Sequence, residues 1–190
     1  MPREERIVAE FNETKLKLRE GHTWRCKPGF KIFVLDRGEL RFDVPEDWVM
    51  ELGKTSVKFY DRQPPDDNCR LEVSLLRHPQ IDFSQLPLDQ LLRQAGGSNP
   101  GDDTRHQNVQ LQSRPGIELA WVEKFFTDSQ ENKPARSRIA VIRGITAHAL
   151  VTLDFWEADA ERVLPAWDEV MRSIDMGLKV QDPTVGEQRM

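Results

Sequence analysis

Residues 40–48, Leu40-Arg41-Phe42-Asp43-Val44-Pro45-Glu46-Asp47-Trp48, change character at their midpoint. Leu40, Phe42 and Val44 alternate with Arg41 and Asp43, the period of a strand with one apolar face. Pro45 cannot donate to a strand ladder and so ends that strand, and Trp48-Val49-Met50-Glu51-Leu52 resumes extended structure before a turn at Gly53.

Upstream, Lys31-Ile32-Phe33-Val34-Leu35 leads through Asp36-Arg37-Gly38 into Leu40, which predicts a hairpin. Downstream, Val57 and Phe59 alternate within Ser56–Tyr60, and Leu71, Val73 and Leu75 alternate within Arg70–Leu76, predicting two half-buried strands. Between them, Arg62-Gln63-Pro64-Pro65-Asp66-Asp67-Asn68 has the prolines and Asx residues of a pre-ordered loop. Further strands are predicted farther on: Val109–Ser113 with Ile117–Thr127, then Arg136–Arg143, then Thr146–Trp156.

Helical spacing appears twice. Leu86, Leu88, Leu91, Leu92 and Ala95 follow Ser84 as an N-cap and stop at Gly96-Gly97. Val163, Leu164, Trp167, Val170, Met171 and Ile174 form the apolar stripe of a helix over Ala158–Asp175, with Glu161, Asp168, Glu169 and Arg172 expected on the opposite face. Pro165 either kinks that helix or marks its true start. Large aromatics usually fill cores, so Trp24, Trp121 and Trp156 are expected under helices. The inventory predicts an α+β chain of 190 residues: an N-terminal extension over 1–29, one domain over 30–176 built on one sheet, and a disordered tail over 177–190. The extension carries a narrow stripe of Ile7, Val8 and Phe11, a docking helix or a frayed arm, and Gly21–Gly29 is expected to pack across the sheet.

Composition removes several function classes. Hydrophobic residues at 38% suffice for a core, and a net charge of −5 is the wrong sign for a nucleic-acid binder. No apolar run approaches the roughly 18 residues that would span a bilayer, so no membrane is implied and a cytoplasmic location is expected. Cys26 and Cys69 fit no redox or zinc spacing and are expected as buried free thiols.

No nucleophile elbow, His-Glu-x-x-His helix, phosphate loop or calcium loop occurs in the sequence. His22, Cys26, Cys69 and His78 have suitable donor atoms for zinc but lack two compact ligand pairs, and Asp66-Asp67 and Asp102-Asp103 read as turn chemistry. No metal and no cofactor is expected. Two candidate sites remain. One is a protein-binding tip formed by Tyr60, Arg62, Asp66 and Asp67, where the only tyrosine adjoins a stiff zwitterionic loop. The other is a small-molecule or catalytic site in which Asp154 orients His148 as a base and Gly96–Asn108 forms a lid. Lys124, Lys133, Arg136, Arg138 and Arg143 cluster on one hairpin opposite the acidic last helix, an asymmetry that suits protein docking.

The strand closing on Pro45-Glu46-Asp47-Trp48, together with Ala147–Trp156 and the acidic helix ending Val170-Met171-Arg172-Ser173-Ile174, resembles the Mog1/PsbP-like superfamily. The resemblance covers roughly residues 30–175 and implies an antiparallel sheet flanked by helices, an α/β/α sandwich. Members of that superfamily are mostly non-catalytic: Mog1 binds the GTPase Ran, PsbP-type proteins bind photosystem II, and similar bacterial domains act as effector-loading adaptors. The implied role is a protein-interaction or adaptor module with an unidentified protein partner, acting as a monomer or homodimer. No functional residue is shared across those roles, so the resemblance assigns none.

Overall fold

The computed structural model describes residues 12–78, 86–95, 108–178 and 180–186. Its strands form two antiparallel sheets instead of one. Strands β1 (Phe30–Leu35), β2 (Leu40–Pro45) and β10 (Asp175–Met176) make the small sheet, with β2 in the middle. The large sheet runs in the order β3-β4-β5-β9-β8-β7-β6. Its members are β3 (Val49–Leu52), β4 (Ser56–Tyr60), β5 (Cys69–Arg77), β6 (Gln110–Arg114), β7 (Ile117–Asp128), β8 (Lys133–Arg143) and β9 (Ala147–Trp156).

The division falls at Pro45. The turn that follows, closed by the Trp48 N–H on the Pro45 carbonyl at 3.2 Å, carries the chain to the other sheet. The two sheets then meet face to face through Phe33, Phe42 and Phe59, whose rings lie 5.1 to 5.8 Å apart in tilted and edge-on pairs.

Helix α2 (Ala160–Ser173) shares that face and buries Val163, Ala166, Trp167 and Val170 over the strands. It follows a 3-10 turn at Glu157–Asp159 and runs unbroken through Pro165, which stands exposed on the outer side. Trp121 packs edge-on against Trp167, as expected of an aromatic beneath a helix. On the opposite face of the large sheet, helix α1 (Leu88–Ala95) sets Leu88 and Leu92 against Ala120, Val122, Ile139 and Val141. The layers are therefore unequal: a helix with a small sheet, the large sheet, and one two-turn helix, rather than helices flanking a single sheet. Ser84, the expected cap of α1, lies outside the described residues, as do Ile7, Val8 and Phe11.

The expected disordered tail is instead bound as far as Gly186. Its Leu178 and Val180 N–H groups donate to the Gly38 and Arg37 carbonyls at 2.9 and 3.1 Å, and Val180 is buried. Asp36 and Arg37 turn the β1–β2 hairpin with left-handed φ angles of 52° and 55°, and Gly38 follows at 101°. A Cβ on Gly38 would stand 2.4 Å from the Leu178 carbonyl oxygen, so glycine is required both by conformation and by the approach of the tail. The tail also holds the N-terminal extension: Thr23 N–H donates to Val185 at 2.8 Å, and Trp24 Nε1 to Pro183 at 2.8 Å. Trp24 is thus covered by the tail and by the Arg41 guanidinium, 5.9 Å from its ring, and not by a helix.

Candidate functional site

The β4–β5 loop is ordered from beneath by Asp61, a residue that no motif in the sequence singles out. The Asp61 carboxylate, with a side chain only 2% exposed, accepts the N–H groups of Asn68 and Cys69 at 2.8 and 3.2 Å and pairs with Arg162 of α2 at 2.7 Å. Burial by itself would raise the Asp61 carboxyl, but those N–H groups and the guanidinium outweigh it and hold it below the usual aspartate range. Of the four predicted contact residues, Arg62 and Asp66 are exposed and Asp67 is half-buried. Tyr60 is not available to a partner, because as the last residue of β4 its side chain turns into the fold and is 8% exposed.

His148 and Asp154 share a face of β9, as alternation requires, but they do not meet. Six residue steps along the strand separate them, about 20 Å. His148 stands against His78, ring to ring at 4.6 Å, and is held below its usual value by burial, then by His78 and Arg143. Asp154 accepts from Arg70 at 2.9 Å and from Ser137 at 2.6 Å. The two residues thus belong to separate polar clusters and form no acid–base dyad; the proposed lid falls, except for Asn108, outside the described residues. Among the described residues no three His, Cys, Asp or Glu side chains are placed to hold a metal. Cys69 is buried as expected, whereas Cys26 is exposed. Burial and neighbouring carboxylates push both thiols up, Cys26 to about 11 and Cys69 to about 12, so neither is an activated nucleophile.

The predicted basic cluster on the β7–β8 hairpin is largely neutralised from within. Arg136 pairs with Glu157 at 2.8 Å, Arg138 with Glu123 at 3.3 Å and Asp168 at 3.6 Å, and Arg143 with Glu118 at 3.4 Å. What the hairpin does expose is apolar. Strand β6 covers β7 only from Ile117 to Trp121, whereas β8 continues beside β7 to Asp128. Among the described residues, the outer edge of β7 beyond Trp121 therefore has no strand partner. On that segment Phe125 and Phe126 point to opposite faces and are 59% and 40% exposed.

A further polar cluster surrounds the C-terminal end of α2. The Asp43 N–H, on the free side of β2, donates to Ser173 Oγ at 2.8 Å and draws the helix end alongside the strand. Arg41 donates to the Ser173 carbonyl at 2.9 Å, and Arg114 to the Arg172 and Met171 carbonyls at 2.8 and 2.6 Å, so two guanidiniums satisfy the helix's last acceptors. Arg41 also pairs with the fully buried Asp43 at 2.6 Å. Burial nevertheless keeps the Asp43 carboxyl above its ordinary value, outweighing Arg41. Glu169, expected on the outer face, is buried here and gripped by Arg172. Above this floor opens a cavity of about 520 Å³ walled by Arg25, Lys27, Arg41, Arg114 and Arg172, with Asp175 the sole acid in its lining.

The sequence pattern of the Alr1449 family matches residues 31–180, nearly the whole of the fold just described. The chain belongs to the Alr1449 family. An uncharacterised relative from Nostoc, alr1449, is 36% identical over 187 residues, spanning 98% of this chain and 97% of its own. At the level of fold, the solution structure of the PsbP-type protein CyanoP from Synechocystis superimposes with a TM-score of 0.54 at 14% identity, covering 82% of this chain and 99% of its own. LpqN of Mycobacterium tuberculosis, a protein involved in cell envelope biogenesis, gives 0.52 at 14%, covering 76% and 90%. A Bacteroides thetaiotaomicron protein gives 0.56 at 14%, covering 78% of this chain but only about half, 49%, of its own. The Alr1449 chain thus has the Mog1/PsbP-like fold that its Pro45–Trp48 and Ala147–Ile174 segments suggested.

Proposed function

We propose that this Alr1449-family protein is a non-catalytic adaptor that receives an extended segment of a partner protein along the open edge of β7, residues Glu123–Asp128. The observation that carries this reading is the coincidence, among the described residues, of an uncovered strand edge with two exposed phenylalanines. An uncovered edge offers main-chain N–H and C=O groups to a further strand, and natural proteins usually protect such edges with charge, proline or a covering element. This one displays aromatic side chains on both faces. An added strand with alternating apolar residues would cover Phe125 on one side of the sheet and Phe126 on the other, and burying the exposed parts of the two rings, about one whole ring between them, is worth about 1.5–3 kcal/mol before the costs of association. The two raised thiols and the separation of His148 from Asp154 support binding over catalysis.

The test is affinity capture of the tagged protein from its native host, alongside a Phe125→Ser, Phe126→Ser double variant, with amide exchange measured on the captured complex. The reading requires that the double variant lose the partner and that exchange in 123–128 slow in the wild-type complex. Retention of the partner by the double variant would refute it.

A further inference from the structure

The cavity at the end of α2 has more cationic capacity than its own structure consumes. Arg41 and Arg172 are engaged by Asp43 and Glu169, and Arg114 by helix carbonyls. Arg25 and Lys27, both exposed, have no carboxylate within ion-pair distance among the described residues; Arg25 reaches only the His22 and Trp24 carbonyls, at 3.4 and 3.2 Å, and Lys27 rests over the Phe30 ring. Beneath them, the Nε groups of Arg41 and Arg114 are buried without a hydrogen-bond partner, which is costly for a charged donor. Burial also holds Arg114 below its usual value, the mark of a cation that its surroundings leave undercompensated.

We propose that this cavity binds a small molecule carrying a phosphate group. With Arg41 and Arg172 engaged by Asp43 and Glu169, the lining still sets Arg25, Lys27 and Arg114 against Asp175, a balance that favours a dianion over a single carboxylate, and guanidiniums supply the paired donors that phosphate oxygens accept. Arg41 and Arg114 are fixed by their bonds to the helix end, so the positive charge on the cavity floor is preorganised and little ordering cost is incurred there on binding. Arg25 and Lys27 at the rim close on the ligand from the N-terminal extension. A volume of about 520 Å³ lies within the range of small-molecule sites, leaving room for an organic body beside the phosphate. The inference is independent of the β7 edge.

The test is titration calorimetry of the whole chain with inorganic phosphate, glucose 6-phosphate and adenosine 5′-monophosphate. Glucose, adenosine and citrate serve as controls at matched ionic strength. Binding by at least one of the two organic phosphates, absent for its dephosphorylated partner and weakened about tenfold or more in Arg25→Gln, Lys27→Gln, is expected. Both substituted residues are exposed, so the double variant should melt at the wild-type temperature without ligand. Failure of both organic phosphates to bind, binding that persists undiminished in the double variant, or tighter binding of citrate than of any phosphate would overturn the assignment.

Discussion

Two loops project from the same large sheet, and they differ in what holds them. The β4–β5 loop is tied down by a buried aspartate that takes two N–H groups from its far side and a guanidinium from α2. The β7–β8 hairpin carries its ladder to Asp128 with nothing described beside its outer edge, and it exposes two phenylalanines. The β4–β5 loop has the polar, proline-rich composition associated with partner contacts but spends its chemistry on its own order. The hairpin has the composition of an ordinary strand pair, yet it is the one that leaves apolar area and backbone groups unused. A rigid tip and a recognition edge are therefore different things in this molecule.

The largest effect should come from cutting the tie. Asp61→Ala leaves two backbone N–H groups without an acceptor and is expected to cost about 2–3 kcal/mol in urea denaturation. Because the folded state holds this carboxyl below its ordinary value, its contribution is complete above about pH 4 and is lost as pH falls through the depressed value, so acid should selectively narrow the gap between Asp61→Ala and wild type. Asp43 gives the opposite sign. Its carboxyl is raised, so its ionised form opposes folding, and the opposition fades as pH falls through the raised value. Asp43→Asn, which mimics the protonated acid, is accordingly expected to cost less than Asp61→Asn in the same assay at neutral pH.

Smaller stability effects are expected at the two surfaces themselves. Phe125→Ser with Phe126→Ser should move unfolding by less than about 1 kcal/mol, since both rings are exposed, while abolishing partner capture. Arg62→Ala with Asp66→Ala should move it by less than about 0.5 kcal/mol and leave capture intact. Loss of the partner in the loop variant alone would reverse the comparison.

Period-two alternation located most of the strands, and helical spacing located both helices. The Pro45–Trp48 turn and the closing helix pointed to the Mog1/PsbP-like fold that the chain has. Alternation cannot say which strands share a sheet, so the aromatic stack of Phe33 and Phe42 on Phe59 read as one sheet rather than two. Nor does it mark a strand buried on both faces: Arg41 and Asp43 matched the solvent side of β2 because a buried ion pair has the same pattern as an exposed one. The tail over 178–186 lacks apolar periodicity, since it is held mainly by backbone hydrogen bonds, which any sequence can make. Phe125 and Phe126 gave no signal because exposure at a sheet edge depends on where β6 stops, a fact of register and not of composition. The basic cavity draws its five cations from four separate segments, and no local pattern joins them.

Amide hydrogen exchange across 117–143, with and without the captured partner, tests the adaptor account most directly. The account predicts that the amides of Glu123–Asp128 that point away from β8 exchange readily in the free protein and slow sharply in the complex, while the 61–68 loop is unchanged. Protection confined to the 61–68 loop, with the β7 edge unaffected, would contradict it.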